Sequence, residues 1–207
     1  LALKEQWEKK NYIDSRLYKE YNVKRGLRDE DGRGVLTGLT RVAEIQSYNV
    51  TSGADGEHIA PTEGALYYRG IDCRHLVTGS ENRGRFAFEE AAYLLLFGEL
   101  PTERQLKDFC IQLASYRTLP TNFFRDIIMK TPPKDLMNTM QRAILTLFCY
   151  DDKPNDISLE NVLRQCLQLT ANMPVLAIYA YQAWRYSQGE SLFIHPPKPE
   201  LSTAENF

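Results

Sequence analysis

Histidine is scarce in this 207-residue sequence: there are three, at positions 58, 75 and 195. No two stand at the short spacing that lets one helix face or one loop hold a metal ion, so none belongs to a recognisable metal-ligand motif. GxSxG, CxxC and GxxxxGK[ST] are missing too, which removes the nucleophile elbow, the thioredoxin-like redox pair and the phosphate loop. The glycine-rich stretch GLRDEDGRG follows no strand and carries Asp29, Glu30 and Asp31, which would repel a phosphate. Charge of one sign is also lacking. A formal net charge of -2 gives no general attraction to nucleic acid or to an anionic lipid surface. No apolar run approaches the roughly 20 residues that span a bilayer. The opening residues lack the apolar core and small-residue cleavage site of a secretory signal. Cys73, Cys110, Cys149 and Cys166 are widely spaced and read as unpaired thiols, so the expected compartment is the cytoplasm.

What is present is a chain with 43% hydrophobic and 11% aromatic residues, enough for a substantial core. Its dominant pattern is helical. A charge-rich period over 2–20 offers Trp7, Ile13, Leu17 and Tyr21 as anchors of an arm. Two extended pieces, VAEIQSYNV and GALYYRG, flank the polar TSGADGEHIAPTE, and predict a small antiparallel β element near residues 42–70 with that polar stretch as its loop. Asp72 is placed to cap a short helix through Leu76, leaving TGSENRGR as a surface loop.

The most apolar segment is FAFEEAAYLLLFGELPTERQLKDF, Phe86–Phe109. Phe88, Ala91, Ala92 and Leu95 share one helical face, and apolar residues fill most of the rest, which predicts a buried helix. Gly98 is positioned as its left-handed terminator, Pro101 as a stop, and Thr102 with Gln105 as the capping box of the next helix. That helix shows a face of Leu106, Phe109, Cys110, Leu113 and Ala114. PTNFFRDIIMK predicts a short helix ending at Thr131 before two prolines. Leu136, Met137, Met140, Ile144, Leu147 and Phe148 make an apolar stripe suited to a core or to a seam between subunits. Ser158 caps a long helix to about Ser187, which Pro174 is expected to kink or divide. SQGESLFIHPPKPELS then reads as an extended surface strap.

The polar residues offer little chemistry. His75 and Asp72, three apart on a short helix, make a local pair. His195 sits in the strap and His58 in a polar loop. Glu89 and Glu90 fall in the first turn of the apolar helix, where the helix dipole favours them. Arg69 follows a strand and suits a salt bridge or a site, and Arg142 is an isolated charge in the 136–148 stripe.

Taken in order, these motifs resemble a known family. GLRDEDGRGVLTGLTRVAEI, EGALYYRGIDCRHLV, FAFEEAAYLLLFGELPTERQLKDF and LPTNFFRDIIMKTPPKDLMNTM are similar to successive segments at the N-terminal end of the citrate synthase large domain. The third matches almost letter for letter, and the likeness spans roughly 20–207. Ile71 and Cys73 depart from the usual residues, and TGSENRGR looks longer than usual, but these are structural positions. The resemblance implies an all-α, multihelical fold, with residues 1–207 as the N-terminal part of the large domain. It implies a parent that condenses acetyl-CoA with oxaloacetate, with no tightly bound cofactor, and a homodimer formed through the 136–148 region. A 2-methylcitrate synthase shares that fold, as would a non-catalytic helical binding or regulatory module. In the family the histidine motifs come after the position of Phe207. No residue of this sequence matches the catalytic histidines or aspartate, so no catalytic, cofactor-binding or metal-binding residue is assigned, and the chain alone is expected to be inactive.

Overall fold

The computed structural model describes residues 13–24, 26–29, 32, 34–35, 38–53, 56–130 and 135–207. They fall into two compact units, Leu1–Arg41 and Val42–Phe207. In the first, α1 (Ser15–Glu20) is capped by the Asp14 carboxylate, which accepts from the Arg16 amide. Ile13 and Tyr21, expected as anchors, are exposed; Trp7 and the rest of 2–12 lie outside the described residues.

The second unit begins with a long antiparallel hairpin of β1 (Ala43–Gly53) and β2 (Gly56–Tyr68). Here the structure departs from the expected short element. TSG and GEHIAPTE, read as loop, are strand, and Gly53 pairs with Gly56. The ladder is irregular once: the partner jumps from Ala65 opposite Gln46 to Pro61 opposite Tyr48, so Thr62, Glu63 and Gly64 face the single residue Ser47. At its base β2 turns into β3 (Ile71–Asp72), completing a sheet of order β1-β2-β3. Arg69 and Gly70 both take positive φ, 50° and 84°, as the two central residues of a tight hairpin turn require. An arginine there is strained, and its guanidinium is held by donating to the Leu95 carbonyl at 2.8 Å.

The rest is helical, as expected: α2 (Cys73–Glu81), α3 (Phe88–Phe97), α4 (Glu103–Tyr116), a π-helical turn (Phe124–Ile128), α5 (Leu136–Leu147), a 3-10 turn (Phe148–Tyr150), α6 (Leu159–Ser187) and the short α7 (Thr203–Asn206). Asp72 caps α2, but the helix runs past Leu76 into the segment expected to be loop. Its last turn is fastened from outside, because the buried Ser80 hydroxyl donates to Glu90 at 2.7 Å. Thr102 and Gln105 form the capping box of α4, and Asp135 caps α5. The π turn stands where a short helix was expected; its end at Thr131 lies outside the described residues.

Helix α6, about 44 Å long at roughly 1.5 Å per residue, is the rod on which the bundle is assembled. Its first half brings Leu167 and Ala171 against Phe109 and Leu113 of α4, with Tyr93 and Leu96 of α3 at the margin. Its second half brings Leu176 and Ala183 against Phe123, Ile128 and Ala143, with Ile144 and Leu147 of α5 alongside. Pro174 lies between the two halves yet does not divide the helix, because buried Ala171, Asn172, Val175 and Leu176 anchor the chain on both sides of it. The stripe on α5 is thus largely satisfied within this chain. Met137, Leu145 and Phe148 remain exposed on its outer side.

Gly98 ends α3 with φ 87°, and an added Cβ would meet nothing within 4 Å. Its replacement by alanine therefore costs only backbone strain. Gly98→Ala should lower stability by about 1 kcal/mol in urea titration, with the fold's circular dichroism unchanged.

A buried carboxylate network and a candidate cleft

Two of the three buried residues of α3 are charged. Leu94 is buried with Glu89 and Glu90, while Phe88 and Phe97, expected inside, are part exposed. Both glutamates were accounted for by the helix dipole; tertiary partners hold them instead. Glu90 accepts from Ser80, from Arg85 at 2.9 Å and from Arg83 at 3.5 Å. Glu89 accepts the backbone N–H of Thr203 at 2.6 Å and faces the Arg117 guanidinium at 3.5 Å. Arg117, from the end of α4, is only 4% exposed and also donates to the Leu201 carbonyl at 2.7 Å and the Thr203 hydroxyl at 2.9 Å. One charge pair therefore joins α3, the end of α4 and the C-terminal strap. Two consecutive glutamates inside an otherwise apolar helix were the visible signal; the partners of Glu89 lie far away in sequence, and those of Glu90 in the loop and helix end just before it.

Beside this network lies a cavity of about 340 Å³, within the size range of small-molecule sites. Its walls are one face of α6, including Val175 and Ile178, and the strap from Phe193 to Leu201. Arg117, Tyr179, Gln182, His195 and Lys198 supply polar groups. Arg117 Nε and Gln182 Oε1 are buried without a hydrogen-bond partner in the walls of the cleft. Burial raises the Tyr179 phenol above its ordinary value, which keeps it a neutral donor; it reaches the His195 carbonyl at 3.3 Å. Among its lining residues the cleft holds no nucleophile activated by a neighbouring base.

The three histidines stay apart: His58 on β2, His75 exposed on α2, His195 exposed on the strap. Asp72 is engaged by Arg74, whose hydrogen bonds hold its carboxyl down to about 2, and does not serve His75 as a base partner. Burial, reinforced by the Glu89 charge, pushes the Cys110 thiol up, away from a reactive thiolate. Arg69 ties the β turn to the end of α3, and Arg142 donates to Asn138 and Thr139 on its own helix. Among the described residues no group of three or more His, Cys, Asp or Glu is placed to hold a metal ion, and no helix is long and apolar enough to cross a membrane.

This helical arrangement recurs in solved citrate synthases. The Thermoplasma acidophilum enzyme, determined as a ternary complex with carboxymethyl coenzyme A and oxaloacetate, aligns with a TM-score of 0.66 at 19% identity, over 88% of this chain and 40% of that one. The Pyrobaculum aerophilum enzyme gives 0.62 at 24% identity, over 87% and 42%. The sequence matches the family described as "Citrate synthase, C-terminal domain" across residues 32–207. The chain belongs to the citrate synthase family. It is 32% identical over 123 residues to a citrate synthase-related protein of Dictyostelium discoideum, covering 58% of this chain and 26% of that protein. It is 29% identical over 145 residues to the citrate synthase of Corynebacterium glutamicum, covering 70% and 31%. The matched region is thus no more than about a third of those relatives' length.

Glu89→Gln keeps the acceptor shape but leaves Arg117 buried without a countercharge. Stability should fall by about 3 kcal/mol, read from the urea midpoint, whereas Glu103→Gln on the exposed first turn of α4 should change it by less than about 0.5 kcal/mol.

Proposed function

We propose that this chain supplies the N-terminal helical part of the large domain of a citrate synthase, and carries none of the residues that perform the chemistry. The family match across 32–207 carries the reading. The separation of His58, His75 and His195 onto three elements, none with an acid–base partner, supports its second half. The reaction removes a proton from the methyl group of acetyl-CoA, forms a carbon–carbon bond to the carbonyl carbon of oxaloacetate, and hydrolyses citryl-CoA to citrate and CoA. A thioester α-proton is so weakly acidic that its base needs charge stabilisation at the thioester oxygen in the same step. Substrates of this kind fit the relative solved with carboxymethyl coenzyme A and oxaloacetate. The four unpaired cysteines suit a reducing compartment, and we place the protein in the cytoplasm.

Release of CoA thiol from acetyl-CoA and oxaloacetate tests the assignment. The 207-residue chain should give none above background. The polypeptide of its complete reading frame should release thiol in an oxaloacetate-dependent way, and faster with acetyl-CoA than with propionyl-CoA. Turnover by the 207-residue chain would overturn the claim about its residues. Failure of the complete polypeptide with both thioesters would overturn the synthase assignment, and a preference for propionyl-CoA would make it a 2-methylcitrate synthase.

The homodimer is assigned to the 136–148 region, where Met137, Leu145 and Phe148 leave an apolar outer face on and beside α5. Covering it against a second copy would be favourable by roughly 25 cal/mol per Å². Leu145→Glu should weaken self-association at least tenfold in sedimentation; an unchanged dissociation constant would count against this face.

A further inference from the structure

The chain after α6 is fastened unevenly. Where the helix ends, Gly189 takes φ 91° and the chain turns back: the Glu190 N–H donates to the Arg185 carbonyl at 3.2 Å, and its carboxylate pairs with the Arg185 guanidinium. At the far end, residues 198–206 fold on themselves. The Asn206 side chain accepts the Lys198 N–H at 2.7 Å and donates to the Lys198, Leu201 and Ser202 carbonyls, while Ser202 and Glu205 form a capping box. Between these ends, residues 191–197 have no helix or ladder, and Pro196 and Pro197 have no N–H. Among the described residues one hydrogen bond ties that stretch to α6, from the Tyr179 hydroxyl to the His195 carbonyl at 3.3 Å.

The 198–206 knot is hydrogen-bonded to the rest of the bundle at one place, the Glu89–Arg117 pair. Glu89 accepts the Thr203 N–H, and Arg117 donates to the Leu201 carbonyl and the Thr203 hydroxyl. Apolar packing around these bonds is incomplete. The 340 Å³ cleft lies between the strap and α6, and a second cavity of about 180 Å³ is lined by Ser202 and Glu205 together with Phe86, Leu106 and Cys110. Open space along the segment forfeits dispersion contacts that would otherwise hold it. The polar contacts to Glu89 and Arg117 therefore decide whether it stays down.

We propose that residues 190–207 are a hinged latch over the cleft, which swings at Gly189 and closes on the Glu89–Arg117 pair while the helices beneath stay folded. Opening parts the segment from the pair without parting the pair. Glu89 and Arg117, 3.5 Å apart, stay together and exchange the polar groups of the strap for water. No buried charge is left uncompensated, so release of this segment costs less than unfolding α3 or α4 around it. The latch is a property of this chain's own contacts and is independent of the synthase assignment.

Thiol labelling and amide exchange on the 207-residue chain test it. Val175, 7% exposed, stands in the cleft wall, so Val175→Cys reports opening through its rate of reaction with a maleimide, and peptide mass spectrometry separates it from the four native thiols. In that background Thr203→Pro removes the N–H that Glu89 accepts. Proline suits the first position of α7, and Ser202 before it is already extended at ψ 170°. Loss of a hydrogen bond to a charged group should speed labelling about tenfold or more. Ile128→Val, in the second core cluster, lowers global stability without touching the latch and should leave the rate unchanged. In the unaltered chain, the amides of 203–207 should exchange with measurable protection, yet at a lower free energy and with a weaker urea dependence than those of 163–172 in α6. Equal acceleration by both variants, or none by Thr203→Pro, overturns the latch. So does exchange of 203–207 at the α6 free energy, or with no protection at all.

Discussion

The carboxylate of Glu89 is buried beneath the C-terminal strap, and burying a charge is costly unless it is paired and hydrogen-bonded. Arg117 and the Thr203 amide meet that demand, and each meets it only if its own segment is in place. Arg117 must arrive from the end of α4, so the turn between α3 and α4 has to close correctly, with Gly98 left-handed and Thr102 capping. Thr203 must arrive from the strap, which in turn closes one side of the cleft against α6. A requirement local to one oxygen atom thus constrains three segments that the chain brings together across 114 residues. The Glu90 cluster repeats the arrangement on the neighbouring position, fixing the last turn of α2 and the arginines of the following loop.

Much of the architecture was legible because it is written in short-range terms. The end of α3 and the start of α4, the caps at Asp72 and Ser158, and the apolar face of α4 each depend on residues within about one helical turn. The errors have a common cause: long-range partners decided against local composition. Polar TSGADGEHIAPTE looks like loop because strand signals rest on apolar alternation, and a ribbon open to solvent on both faces need not alternate strongly. TGSE looks like loop until Glu90 supplies an acceptor for Ser80. Pro174 looks like a break until the buried residues around it hold the helix together.

The candidate site was legible mainly in what it lacks. Three histidines far apart in sequence were expected to stay apart, and the structure places them on separate elements. The cleft could not have been foreseen, since its polar groups come from positions 117, 179, 182 and 195, which share no motif. The same segment that carries the strongest family resemblance, FEEAAYLLLF, supplies Glu89, which fastens the strap, and Glu90, which fastens the end of α2.

Pro174 has a mechanical consequence. Having no N–H, it cannot donate to the carbonyl four residues back, so α6 lacks one rung of its ladder where it passes from the first core cluster to the second. The rod is stiff within each cluster and compliant between them. Pro174 also lines the cleft. The missing rung therefore lies in the wall of the cleft, on the same face of α6 as Val175 and Ile178.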